Sequence, residues 1–470
     1  MNNKLSSQVA YNTIIQIVGK TISTILGLAA VAVMARYLLE DGFGQYTTVF
    51  TFLSFFGIIA DFGLTLITSQ MISRPGADQR NLLNNLFSLR LVSAIIFLGL
   101  APLAVLFMPY APIIKLGVAV ASLSFFFTAL NQILVGFFQK NLTMTIVAVA
   151  DALRSVVLVI GIILAAHFNF GLLSIIIATV ISSAISFIIH YWFSRRYIRI
   201  IWQIDLKIWR EIITKSWPLG VTIFLNLIYL RADTLLLSLL KNQNEVGIYG
   251  ATYKVIDVLT SLPFMFAGLI LPILTAAWSV RNLDHFNRVM QKSFDAMVML
   301  ALPLIIGAQL VAEPLMTLIA GKNFAPAGAV LKILILATGF IFIGCLASHA
   351  VIALDKQKNI IGAYLFTALT ALIGYLVFIP LYSYFGAAWV TVYSEFAIAA
   401  FSLYVVIKYS GFRPKLTVFF KSLVAAMAMG LIVYLLMGKL NLAFIILLAG
   451  LIYFISLYLF VIDKKTIYGQ

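Results

Sequence analysis

The chain has 470 residues, 63% of them hydrophobic and only 10% charged, with a mean hydropathy of +1.06. A soluble domain carries about a quarter charged residues, so this composition excludes one and requires a chain that exposes most of its surface to hydrocarbon. The net charge of +16 has no basic soluble domain to sit on, which excludes a nucleic-acid footprint.

A helix needs about 20 mainly apolar residues to cross a bilayer. By that measure the expected spans are 11–36, 45–68, 84–108, 114–138, 144–167, 171–192 and 216–240, then 248–275, 293–313, 328–351, 360–381, 387–407, 417–437 and 443–462. The fold class is therefore an all-α integral membrane protein with about fourteen transmembrane helices, the runs being too long and continuous for barrel strands. The first run is expected to remain a span, because Lys20 interrupts it and no short apolar region leads into a cleavage site.

Basic residues set the orientation. With the N-terminus inside, 20 of the 32 Lys and Arg residues fall in inner loops and tails, among them Arg195, Arg196, Arg199 and the terminal pair Lys464–Lys465. Only Lys241, Lys322, Lys439 and Lys115, at the outer edge of its span, fall outside. Positive charge stays on the cytoplasmic side, which with an even number of spans predicts cytoplasmic termini. Five of the six tryptophans lie near the same inner boundary, as an aromatic belt would.

The longest polar break, 193–215, contains IIWQIDLKIW, expected to form a short helix lying in the interface. It separates a first six-helix bundle (1–192) from a second (216–407), and two further spans follow (408–470). A repeat supports this division. FGQY (Phe43–Tyr46) and VGIY (Val246–Tyr249) each follow the first span of a six-helix set. Paired repeats are a common plan of secondary transporters.

Charges inside spans are costly and so are candidates for function. Asp151 and Arg154, like Lys254 and Asp257, are three residues apart and can share a helix face. Each pair is expected either to neutralise itself or to open toward a wet cavity. Arg231 and Asp233 are two apart and point to different sides. Lys20, Asp61, Arg90 and Glu395 have no opposite charge one helical turn away. The spans of the first six sum to +2 and those of the second six to −2. That balance suits a transporter of an anionic headgroup, and equally suits two halves that merely attract each other.

The segments ARYLLEDGFGQYTTVF (Ala35–Phe50), RADTLLLSLL and EVGIYGATYKVID (Glu245–Asp257) resemble the polysaccharide transporter family. That family comprises flippases for lipid-linked O-antigen and related repeat units within the multidrug/oligosaccharidyl-lipid/polysaccharide exporter superfamily. The family commonly has a Gly-Pro pair where this chain has Leu39–Glu40. The resemblance implies translocation of a polyprenyl-pyrophosphate-linked oligosaccharide by alternating access. Lys20, Arg90, Arg154 and Arg231 would then supply phosphate contacts. Asp233, Asp257, Glu395 and Asp61 are the candidates for coupling to a proton or sodium gradient.

No cofactor, no bound metal and no nucleic-acid partner is expected. The four histidines (167, 190, 285, 349) lack paired metal-ligand spacing, and no phosphate-binding GxxxxGK[ST] loop is present. The expected partners are the lipid-linked oligosaccharide, membrane lipids, and the glycosyltransferases and polymerase that handle the same glycan. The alternatives are a cation-coupled drug antiporter of the same superfamily and a membrane glycosyltransferase or polymerase. The enzyme lacks support, because the longest outer loop has no acid and no Asp-x-Asp occurs.

Overall fold

The computed structural model describes residues 3–72 and 78–461; Lys464 and Lys465, counted above among the inner charges, lie outside them. Its helices are α1 (Asn3–Asp61), α2 (Leu64–Ile72), α3 (Gln79–Leu106), α4 (Pro112–Lys140), α5 (Met144–His167), α6 (Gly171–Ser194) and α7 (Leu206–Leu240). They continue with α8 (Gln243–Ser279), α9 (Leu283–Ala320), α10 (Ala327–Ala353), α11 (Lys358–Ser410), α12 (Thr417–Leu436) and α13 (Leu442–Val461). Among the described residues, eleven helices are long and apolar enough to cross a membrane.

Two of these cannot be single crossings. At 1.5 Å per residue, the 59 residues of α1 would run about 88 Å, almost three times the hydrocarbon thickness of about 30 Å. The helix breaks at Leu39 (φ 56°, ψ −170°), and α11 breaks in the same way at Ser383 (φ 53°, ψ −135°). Counting both arms of each, and adding α7, gives the fourteen expected spans.

Positive φ at an L-residue costs about 1–3 kcal/mol unless its surroundings enforce it. Leu39 stands where the resembled family commonly has glycine, the residue that adopts this conformation freely. Leu39 is also exposed, so little packing is lost with its side chain. Leu39→Gly is therefore expected to raise the unfolding midpoint in detergent by the equivalent of about 1 kcal/mol. A lowered midpoint would show that the leucine side chain matters more than the strained turn.

The chain divides into two compact units, residues 1–247 and 248–470. In the first, α5 packs on α1 and α6, α4 on α3 and α6, and α7 on α1, α2 and α3. In the second, α10 lies between α9 and α11, while α12 packs on α9 and α13. The expected boundary at 193–215 thus falls inside the first unit.

The same segment departs from the expected interfacial helix. Residues 198–205 are non-helical because α3 offers their backbone other partners. The Ile201 N–H donates to Asn84 Oδ1 (3.1 Å), Gln203 N–H to Ser88 Oγ (3.0 Å) and Asp205 N–H to Asn85 Oδ1 (2.8 Å). Asp205 then caps α7, accepting from the N–H groups of Lys207 and Ile208. From there the helix runs unbroken to Leu240.

The Gly-x-Tyr repeat has a structural counterpart within the first unit. A Cβ built on Gly44 would lie 1.8 Å from the Gln243 carbonyl oxygen, and one built on Gly247 would lie 1.9 Å from that of Glu40. Each glycine thus meets the residue four places before the other. This is the reciprocal pattern of a two-fold contact between equivalent segments. Thr48 Oγ1 closes the crossing with a 2.8 Å hydrogen bond to Gln243 Oε1.

Candidate functional site

The second span is broken. Phe62 (φ 44°) and Gly63 (φ 79°) separate α1 from α2. A break at membrane depth frees backbone N–H groups that hydrocarbon cannot satisfy. Asp61 satisfies them: its carboxylate accepts from the N–H groups of Gly63 and Thr65, each at 3.2 Å, and from the Thr65 hydroxyl.

The carboxylate in turn pairs with Arg90 of α3 across a 2.8 Å contact. Arg90 is only 1% exposed. Its Nε donates to the Ala129 carbonyl (3.1 Å) and its Nη2 to Gln132 Oε1 (2.5 Å). Arg90, expected as a phosphate contact, and Asp61, expected as a coupling acid, therefore hold each other and the broken helix. Their pairing runs between helices, where spacing along one helix gives no sign of it.

Beside this network, a cavity of about 220 Å³ opens between α2, α4, α5 and α6. Its rim includes the exposed Thr128 and Gln139, and its floor the buried Ser186 and His190. Asp151 and Arg154 both line it. The i,i+3 ion pair that their spacing allows does not form. Among the described residues neither side chain has an ion pair or hydrogen bond.

His190 is 1% exposed, with Nδ1 2.8 Å from the Ser186 carbonyl oxygen. A carbonyl only accepts, so in the neutral ring Nδ1 carries the hydrogen and Nε2 presents a lone pair. Among the described residues no protein group meets that lone pair. Asn131 donates from Nδ2 to Ser186 Oγ (3.2 Å), and its Oδ1 is likewise buried and unmet. The pocket therefore presents a carboxylate, a guanidinium and two open acceptors inside an apolar bundle.

The other expected residues lie elsewhere. Lys20 is exposed on α1, and Arg231 is half-buried on α7. Asp233 is fully buried, and its Oδ1 accepts from the Thr234 N–H (2.5 Å) and hydroxyl (3.1 Å). Asp257 is half-buried on α8 and Glu395 buried on α11, both in the second unit. Of the eight, only Asp61, Arg90 and Arg154 lie in or beside the pocket. Asn131, Gln132, Ser186 and His190 escaped a search for charges. For Ser186 and His190 the signal is a polar stripe on one face of α6, Thr179, Ser182, Ser183, Ser186 and His190, every member buried; Asn131 and Gln132 stand as adjacent amides on α4. No set of metal-binding side chains occurs among the described residues.

The second unit has a cavity of opposite character, about 380 Å³ and lined by apolar side chains of α8–α10, α12 and α13. Leu259, Leu304, Met429, Ile445 and Tyr453 are among them.

Residues 9–278, more than half the chain, match the family described as "Polysaccharide biosynthesis protein". The chain belongs to that family. A relative from Staphylococcus aureus, the "Capsular polysaccharide biosynthesis protein CapF", is 22% identical over 290 residues, covering 61% of this chain and 73% of the relative. Among solved structures, "Lipid II flippase MurJ, inward closed conformation" superposes with a TM-score of 0.79 at 17% identity, covering 96% of this chain and 100% of that one. An inward-facing multidrug resistance MATE transporter of the MOP superfamily superposes with a TM-score of 0.70 at 15% identity, covering 85% and 98%. This member of the polysaccharide biosynthesis family therefore shares the multi-pass membrane fold of those transporters.

Proposed function

We propose that this protein flips a polyprenyl-pyrophosphate-linked oligosaccharide from the inner to the outer leaflet of the cytoplasmic membrane by alternating access. The observation that carries this reading is the charged, open-valenced pocket set among apolar spans. A group that prefers water needs such surroundings to cross hydrocarbon. The apolar cavity of the second unit offers a place for prenyl chain, and membership of a polysaccharide biosynthesis family supports a glycan as the cargo. The likeness of its fold to that of MurJ, a lipid II flippase, supports this reading.

Lys20 and Arg231 are the cations we assign to the diphosphate; Arg154, in the polar pocket, we assign to the saccharide. Asp233, Asp257 and Glu395 are the carboxylates we assign to a coupling proton or sodium ion. Glycosyltransferases that build the unit and a polymerase that consumes it are its functional neighbours.

The test is surface display of the glycan in cells lacking the protein, alongside resistance to cationic dyes. Lost display, with lipid-linked glycan accumulating in the inner leaflet, is expected. Unchanged display with raised dye sensitivity would make the protein a cation antiporter instead. Arg231→Ala at matched abundance is expected to lower display about tenfold, the loss of one charge-assisted contact. Recovery in Arg231→Lys would show that charge, rather than bidentate geometry, is what counts.

A further inference from the structure

We propose that the pocket between α4, α5 and α6 is a saccharide subsite that seats one hydroxylated sugar ring of the translocated unit. This rests on the flippase reading and adds to it a place, a size and a set of contacts.

The open valences define the ligand. His190 Nε2 and Asn131 Oδ1 are buried acceptors that no donor meets among the described residues. Asp151 adds a carboxylate and Arg154 a guanidinium, neither paired among the described residues. A ligand that satisfies all four must bring several donors and at least one acceptor on one compact frame. Phosphate brings oxygens that match Arg154 and repel the other three. A metal cation matches those three and repels Arg154. A single proton meets one lone pair and leaves the rest. A sugar ring carries hydroxyls that each donate and accept, so adjacent hydroxyls can serve the carboxylate and the guanidinium at once.

Size and access agree with that ligand. At about 220 Å³ the cavity falls below the roughly 300–1,000 Å³ of sites for drug-sized molecules, which leaves room for one ring. Among the described residues no Phe, Tyr or Trp lines it, so it lacks the flat apolar walls that an aromatic cationic drug requires. In the orientation set by the basic loops, Gln139 lies just past the inner end of its span, and Asp151 is seven residues into the next. The pocket therefore sits in the cytoplasmic half, on the side where the lipid-linked unit is assembled.

A site with buried, unmet acceptors discriminates strongly against a ligand lacking the matching hydroxyl. This gives the pocket a role in choosing among glycans, distinct from general attraction to a diphosphate.

The test is saturation-transfer NMR on the full-length protein in nanodiscs, with a panel of neutral, N-acetylated, 6-deoxy and uronic monosaccharides. At least one is expected to give a saturable signal in the millimolar range. Asp151→Asn, which keeps shape, and Asn131→Leu, which fills the cavity, are each expected to weaken it about tenfold or more. Matched size-exclusion profiles identify the variants that fold. Silence across the panel, a signal unchanged in both variants, or displacement by inorganic phosphate or sodium would each overturn the subsite. Glycan display in cells separates the two levels. Display that does not depend on the protein would remove the flippase reading. Display that depends on it but survives in both variants would remove only the subsite.

Discussion

Gly44→Val is expected to leave almost no folded protein in the membrane, and Gly247→Val the same. A Cβ at Gly44 would stand 1.8 Å from the Gln243 carbonyl oxygen and 2.7 Å from its carbon, both backbone atoms. At Gly247 the distances to the Glu40 carbonyl are 1.9 and 2.8 Å. Relief requires the two helical segments to part by more than an ångström, and close-packed interiors do not deform continuously by that much. Ordinary overpacking costs about 1–3 kcal/mol by moving side chains; here only backbone can move, so the loss is greater. Even Gly44→Ala should lower the unfolding midpoint sharply. Gly99→Ala is the control, since a Cβ there meets nothing within 4 Å, and better helix propensity should make it neutral or stabilising. The two glycines share one crossing, so the Gly44→Ala, Gly247→Ala double variant should lose less than the sum of the singles. An unchanged midpoint for Gly44→Ala would mean that the crossing is looser than these distances state.

That crossing also shows which features reach the sequence. FGQY and VGIY are visible as a repeat because both segments must meet the same steric demand. Fourteen spans are visible because bilayer thickness fixes their length, whatever their neighbours. Even the strained turn at Leu39 leaves a trace, as a departure from a Gly-Pro pair.

Features made by distant partners leave less. The strap 198–205 reads as a helix from its own residues. Asn84, Asn85 and Ser88, more than 110 positions earlier, hold it extended. Asp205 carried a local signal, an acid just before an amphipathic run, and it marks where α7 begins. In the pocket, Arg154 and Asp151 are visible as charges, whereas Asn131, Ser186 and His190 pass as ordinary polar residues of apolar spans. Their importance comes from unmet hydrogen-bonding atoms, a property only packing reveals.

Removing one member of the Asp61–Arg90 pair should cost about 3–5 kcal/mol, the usual loss when a buried charge keeps no partner. Asp61→Ala is expected to be the most damaging single change within this pair, because it acts twice. It strips Arg90 of its counter-charge, and it orphans the Gly63 and Thr65 N–H groups at the break in the second span. Asp61→Asn should fall in between, since its amide oxygen can still accept from those N–H groups but offers no charge. Combining Asp61→Asn with Arg90→Gln removes both charges and retains hydrogen-bonding groups, so it should recover much of what either single loses. The double-mutant cycle on unfolding midpoints in detergent isolates that coupling, expected at about 1–3 kcal/mol. The same variants separate structure from transport. If the pair only holds the helix break, glycan display should follow folded abundance through all four proteins. Were Asp61→Asn as abundant and heat-resistant as the parent but unable to export, the pair would belong to the transport cycle, and its closed geometry here would be one state of a switch.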